Sequence, residues 1–147
     1  MKIATAAEMA RIDRTTISER RIPGLLLMEH AGIKIVAVLA ARVPELARKH
    51  VAIVAGGGNN GGDGFVVARL LSQLGCQVDV LALRAADDYK GDARTNLDAL
   101  AHLPVKLSFV ANAGELERAW ERCAGARVVV DALLGTGSRG ELSPLMT

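Results

Sequence analysis

The spacing of apolar and polar residues changes several times along the chain, and each change marks an element. From Thr5 to about Arg20 the spacing is helical, and Thr5 with Glu8 supplies the Thr-x-x-Glu capping box that starts such a helix. Pro23 opens a second helix that runs to about Arg42. Val51-Ala52-Ile53-Val54-Ala55 is a short apolar, β-branched run and reads as a buried strand. A helix from about Asp63 to Leu74 follows, with Gly75 placed as its C-terminal cap. Gln77 to Leu83 is a second strand, Arg84 to Tyr89 a polar loop, and about Asp92 to Ala101 a helix that Pro104 forbids from continuing. Val105 to Phe109 is a short third strand, Glu115 to Cys123 a helix ended by Gly125, and Arg127 to Leu133 a fourth strand. No internal repeat or low-complexity segment interrupts the series.

Strands separated by helices predict an α/β fold: a three-layer, Rossmann-like, doubly wound and mainly parallel sheet with right-handed crossovers. A length of 147 residues predicts one domain over 1–147, with N-terminal helices in 5–42 and an α/β core in 50–147. Only four residues are aromatic, so the core must be built from Ala, Val, Leu and Ile. A formal charge of +2, with no Lys/Arg block and no aromatic platform, gives no reason to expect nucleic acid. Cys76 and Cys123 lack metal-ligand spacing and read as packing thiols of a reducing compartment. The most apolar stretch, Leu25 to Ala41, is interrupted by Glu29, His30 and Lys34 and reads as too short and too charged for a membrane span. No signal-peptide pattern precedes Thr5, and a cytoplasmic protein is expected.

Candidate chemistry is concentrated at the first strand-to-helix junction. Gly56-Gly57-Gly58-Asn59-Asn60-Gly61-Gly62-Asp63-Gly64 holds six glycines in nine positions. Such a junction presents backbone N–H groups that favour phosphate, and bare backbone lets a pyrophosphate approach. Two amides and a carboxylate exceed what a phosphate cradle needs. Gly56, Gly58 and Gly61 satisfy the formal G-x-G-x-x-G fingerprint, but the acid expected about twenty residues later is misplaced, because Asp79 lies inside the second strand and Asp87 well beyond it. An ordinary nicotinamide dehydrogenase is therefore disfavoured. No Gly-Lys-Ser/Thr follows, so the loop is not a Walker A motif, and a turn serving packing alone explains neither the asparagines nor Asp63.

In a doubly wound sheet the loops after the strands' C-terminal ends share one edge, so the Gly56 loop is expected to meet Leu134-Gly135-Thr136-Gly137-Ser138-Arg139-Gly140-Glu141. That second loop offers small residues, two hydroxyls and a guanidinium, which suit a phosphate or ribose. Asp131, at the end of the fourth strand, is either a capping residue or a functional acid on the same edge. Lys90 is either a phosphate contact or an exposed lysine. His30 reads as a helix-surface or interface residue, and His50 and His102 as loop and helix-end residues.

Four segments in order resemble one family. Gly58-Asn59-Asn60-Gly61-Gly62-Asp63-Gly64 resembles the signature of the YjeF N-terminal family, the NAD(P)H-hydrate epimerases. Thr5 to Asp13 resembles its opening helix, Leu27-Met28-Glu29-His30-Ala31-Gly32 its second helix, and Val128 to Gly137 its D-A-L-x-G-T-G strand and loop. The resemblance implies an isomerase of nicotinamide-cofactor repair that interconverts the R and S epimers of hydrated NADH or NADPH at C6, with the hydrate as substrate rather than cofactor. Loss of hydroxide beside the ring nitrogen leaves an iminium-like cation. A carboxylate can protonate the departing oxygen and deprotonate the water that returns on the other face.

Asp131 is the first choice for that carboxylate and Asp63 the alternative. Asn59, Asn60, Gly61, Gly62, Asp63, Gly135, Thr136, Gly137, Ser138, Arg139, Gly140 and Glu141 would hold the substrate. By the same resemblance one potassium ion would touch Asn60 and Asp131, whose oxygens suit a hard cation. The family continues with a strand bearing D-I-P-S-G, which this sequence lacks, so a domain truncated at its C-terminal side is expected. The resemblance further implies a longer polypeptide, with a fused NAD(P)H-hydrate dehydratase domain as one form of it, and a homo-oligomer. A non-catalytic nucleotide-binding or interaction module of the same fold is the alternative.

Overall fold

The structure, a computed structural model, describes residues 3–136. Two helices come first, α1 (Ala6–Ser18) and α2 (Gly24–Arg42). Strand β1 (His50–Ala55) then leads through α3 (Asn59–Gln73) to β2 (Gln77–Ala82). Helix α4 (Gly91–Asp98) connects β2 to β3 (Val105–Phe109), and α5 (Ala113–Arg122) connects β3 to β4 (Val128–Ala132). All pairings are parallel, and the strand order is β3-β2-β1-β4. The α/β doubly wound fold expected from the alternation is the fold observed.

That order follows from handedness. Stepping from β1 to β2 and on to β3 in one direction puts α3 and α4 on one face of the sheet, whereas the return to β4 on the far side of β1 puts α5 on the other. Side-chain alternation along the strands matches this division. Val51, Ile53, Val80 and Ala132 pack with Phe65, Val67 and Leu71 of α3 and Leu97 of α4. Ala52 and Leu81 point the opposite way and meet Ala119 of α5 and Cys123, the residue that caps its C-terminus. At about 25 cal/mol for each Å² of apolar surface removed from water, the larger cluster is the main stabilising term of the domain. Polar groups are placed so that few are left without partners. Among the described residues, the Ser72 hydroxyl is the buried side-chain group without a hydrogen bond.

Local signals act as their chemistry requires. The Thr5 hydroxyl accepts from the Glu8 N–H at 3.3 Å and the Glu8 carboxylate accepts from the Thr5 N–H at 2.7 Å, which is the reciprocal capping box. Gly75, at φ 93°, ends α3 in the left-handed region. Its N–H bonds Ser72 O and the Cys76 N–H bonds Leu71 O, both at 3.0 Å, as in a Schellman cap.

Two expectations need correction. Helix α2 is not too short to cross a membrane, since it is a 19-residue helix that contains an 18-residue stretch of mean hydropathy 1.7. It is instead a layer helix of the domain: Glu29 forms an ion pair with Arg69 of α3, and Met28, Gly32 and Val36 are buried. His50 is not a loop residue. It begins β1, and its Nε2 is hydrogen-bonded to the buried Asp79 carboxylate of β2.

Candidate active site

The glycine-rich segment is less of a loop than its composition suggests. Helix α3 begins at Asn59 and not near Asp63, so Asn59, Asn60, Gly61 and Gly62 form its first turn. Close approach makes this possible: a Cβ on Gly61 would stand 1.9 Å from the carbonyl oxygen of Gly56. Only a hydrogen fits there. Gly58 is the N-cap residue, extended and without any side chain to cap the helix. A Cβ on it would meet nothing within 4 Å, so the N-terminus of α3 opens to free space. Uncapped N–H groups at the head of a 15-residue helix carry partial positive charge toward that space.

The second loop meets this helix start, as the topology requires. The Asn60 Nδ2 donates to Leu134 O at 3.2 Å, and the Gly56 N–H donates to Ala132 O at 3.0 Å. Gly135 lies against Asn60, with 3.2 Å from a hypothetical Gly135 Cβ to the Asn60 Cβ. The two segments are joined between β1 and β4, where the direction of strand order reverses. In open α/β sheets that crevice is the ligand site. Thr136 is exposed beside it. Gly137, Ser138, Arg139, Gly140 and Glu141 lie outside the described residues.

The two candidate carboxylates occupy different surroundings. Asp131 is exposed, opposite Val54 in the β1–β4 register, and its Oδ1 accepts from the Leu133 N–H at 2.9 Å. It shares a face of β4 with Val129 and Leu133, whereas Ala132 points into the α3 side. Asp63, in the second turn of α3, is half-buried, and its carboxyl is pushed up to about 6, first by desolvation and then by the nearby Asp13 of α1. Among the described residues no hydrogen bond joins Asp63, Asp131 and Asn60 to one another. Nor do the described residues contain a group of three His, Cys, Asp or Glu side chains able to hold a metal.

Tyr89 was not legible as a site residue. It is fully buried, its hydroxyl donates to Ala55 O at 3.4 Å, and its ring meets Phe65 edge-on at 5.1 Å. It therefore supports the backbone immediately before the glycine segment. Burial pushes its phenol up to about 12, so it remains a neutral donor. The one available signal was a single tyrosine closing a polar loop in an aromatic-poor chain. Lys90 donates to Asp87 O at 2.6 Å within its own loop. His30 is exposed on α2. Both cysteines are buried, Cys76 donating to Leu46 O at 3.2 Å, and burial pushes both thiols up, which suits packing groups.

The fold is that of a doubly wound α/β domain, with the candidate site at its topological switch point. The chain belongs to the family described as YjeF-related protein N-terminus, which it matches over residues 24–147. It is 42% identical over 141 residues to the bifunctional NAD(P)H-hydrate repair enzyme Nnr of Moorella thermoacetica, an alignment that covers 95% of this chain and 27% of that protein. It is 40% identical over 131 residues to the NAD(P)H-hydrate epimerase of Pirellula staleyi, covering 88% of this chain and 56% of that one. The crystal structure of yeast ynu0 superposes with a TM-score of 0.80 at 24% identity, over 99% of this chain and 62% of the yeast chain. The chain thus spans about a quarter to under two thirds of the length of these relatives.

Proposed function

We propose that this domain is an NAD(P)H-hydrate epimerase, interconverting the R and S hydrates of NADH and NADPH at C6. The observation that carries the reading is the switch-point crevice, where Asn60 of the uncapped α3 start is bonded to the loop after β4. Relatives named NAD(P)H-hydrate epimerase support it. The α3 N–H groups and Gly58 suit the pyrophosphate of a dinucleotide, and Leu134 to Thr136 suit the part carrying the damaged ring. In the first half-reaction a carboxylic acid gives its proton to the C6 hydroxyl as the C–O bond breaks, water departs, and the ring nitrogen's electron pair forms the iminium. Water then adds to the opposite face and returns a proton to the carboxylate, so nothing is consumed.

Asp63 fits that acid and base better than Asp131. A carboxyl titrating at about 6 holds a useful fraction of its proton near neutrality, and its half-buried setting is the physical cause. Asp131 fits the potassium site. Its Oδ1 already accepts an N–H, which leaves Oδ2, and the bond from Asn60 Nδ2 leaves that amide's oxygen. Such hard oxygens would hold a potassium ion, which when bound supplies a positive charge that steadies anionic groups of substrate and protein. Gly137, Ser138, Arg139, Gly140 and Glu141 complete the proposed substrate set. The expected setting is a cytoplasmic homo-oligomer working with a dehydratase domain. Giving the natural protein the R hydrate of NADPH in potassium buffer and resolving the epimers by chromatography tests the proposal. Appearance of the S form, lost in Asp63→Asn, supports it; no conversion above the uncatalysed rate defeats it.

A further inference from the structure

The end of β2 carries a charge that the reaction itself does not use. In a dinucleotide site the group just beyond the second strand faces the adenosine ribose, and an acid there binds its 2′-hydroxyl whereas an arginine accommodates a 2′-phosphate. Here the acid of β2, Asp79, is buried and committed to His50. It cannot reach that edge. Two residues past Ala82, the last residue of β2, stands Arg84, exposed. Its side chain lies across the glycine segment: a Cβ on Gly57 would be 2.8 Å from the Arg84 Cγ and 3.2 Å from its Nε. Gly57 has no left-handed φ to require glycine. What its missing side chain leaves room for is the arginine.

The surrounding charges make Arg84 the available cation at this point. Lys90 is bonded to Asp87 O, and Arg94 is engaged by Asp98 at 2.8 Å, by Ala86 O at 3.1 Å and by Asp87 at 3.3 Å. Among the described residues Arg84 makes no ion pair, although Asp88 stands on the same loop. We propose that Arg84 receives the 2′-phosphate of a phosphorylated adenosine, so that the site prefers the hydrate of NADPH to that of NADH. The inference rests on the dinucleotide reading above. The ligand would then run along the C-terminal edge of the sheet, with damaged ring at β1–β4, pyrophosphate at α3 and adenosine phosphate at β2.

Binding and turnover separate this proposal from the epimerase reading. Titration calorimetry on the natural protein with 2′,5′-ADP and with 5′-AMP isolates the 2′-phosphate, since the two differ in nothing else. Charge-assisted bonds to one phosphate are expected to favour 2′,5′-ADP by about tenfold to a hundredfold. Arg84→Met should remove that preference while leaving AMP affinity unchanged, and Arg84→Lys should retain part of it. Equal binding of both nucleotides by the unsubstituted protein, or a preference that survives Arg84→Met, overturns the proposal. A loss of both affinities together overturns it as well, because it would assign Arg84 to the common 5′-phosphate. Loss of hydrate turnover with the Arg84-dependent preference intact would instead refute the epimerase reading alone.

Discussion

Replacing Asp63 by asparagine should make the protein more stable at neutral pH and less active. Its carboxyl titrates at about 6 in the folded state against an ordinary 3.8, because burial and Asp13 both disfavour its charge. At about 1.4 kcal/mol per pH unit, ionising it in the folded state costs about 3 kcal/mol more than in the unfolded chain. Partial contact with water lowers the expected effect to about 2 kcal/mol. The sign follows from proton counts: between pH 4 and 6 the folded state binds more protons than the unfolded state, so this group's contribution is full below about pH 4 and is lost as pH rises through about 6. Asp63→Asn removes the titration. Urea unfolding of both proteins from pH 3.5 to 7.5 should show near-equal stability at the acid end and the variant ahead by about 2 kcal/mol at the neutral end. Turnover should fall at least about a hundredfold, the usual worth of a proton-transfer group. Curves that stay parallel across this range, or a variant less stable at pH 7, would refute the reasoning. A gain in stability bought with lost activity is the trade expected of a functional acid held in a desolvated setting.

Other perturbations address the scaffold. Gly61→Ala sets a methyl carbon 1.9 Å from the Gly56 carbonyl oxygen, which is backbone and cannot rotate away, so a loss of about 1–3 kcal/mol in urea unfolding is expected. Gly58→Ser adds a hydroxyl where nothing lies within 4 Å and should cap α3, raising stability by about 0.5–1 kcal/mol while weakening NADP+ binding in titration calorimetry. His50→Ala leaves the buried Asp79 carboxylate without its partner and should cost about 3 kcal/mol by the same unfolding measurement. Tyr89→Phe removes the bond to Ala55 O and should cost about 1 kcal/mol, with a rise in KM larger than the fall in kcat if the hydroxyl serves to hold the glycine segment in place.

The alternation of short apolar runs with helical spacing made the sheet legible, since a parallel βαβ chain has few topologies open to it. Capping chemistry fixed helix ends well, as at Thr5 and Gly75. The start of α3 was misjudged for a physical reason. Asparagine and glycine favour turns in isolation, but at Asn59 to Gly62 the missing side chains let the helix begin under the Gly56 carbonyl, a tertiary contact with no trace in local propensity. The meeting of Asn60 with Leu134, 74 residues apart, could be anticipated from the edge rule. The environments of the two acids could not. Asp63 owes its raised pKa first to burial and then to Asp13 of α1, a helix distant in sequence, and Asp131 lies on an exposed strand face. Tyr89 and Arg84 were hidden likewise, because their roles come from what they lie against and not from any motif.

A crystal structure of the natural protein with NADP+ bound would test the central claim most directly. The account predicts the pyrophosphate against the N–H groups at the start of α3, the nicotinamide between Asn60 and the Leu134–Thr136 segment within reach of Asp63, and the adenosine beyond β2. A dinucleotide bound elsewhere, or one whose nicotinamide lies away from the β1–β4 crevice, would contradict it.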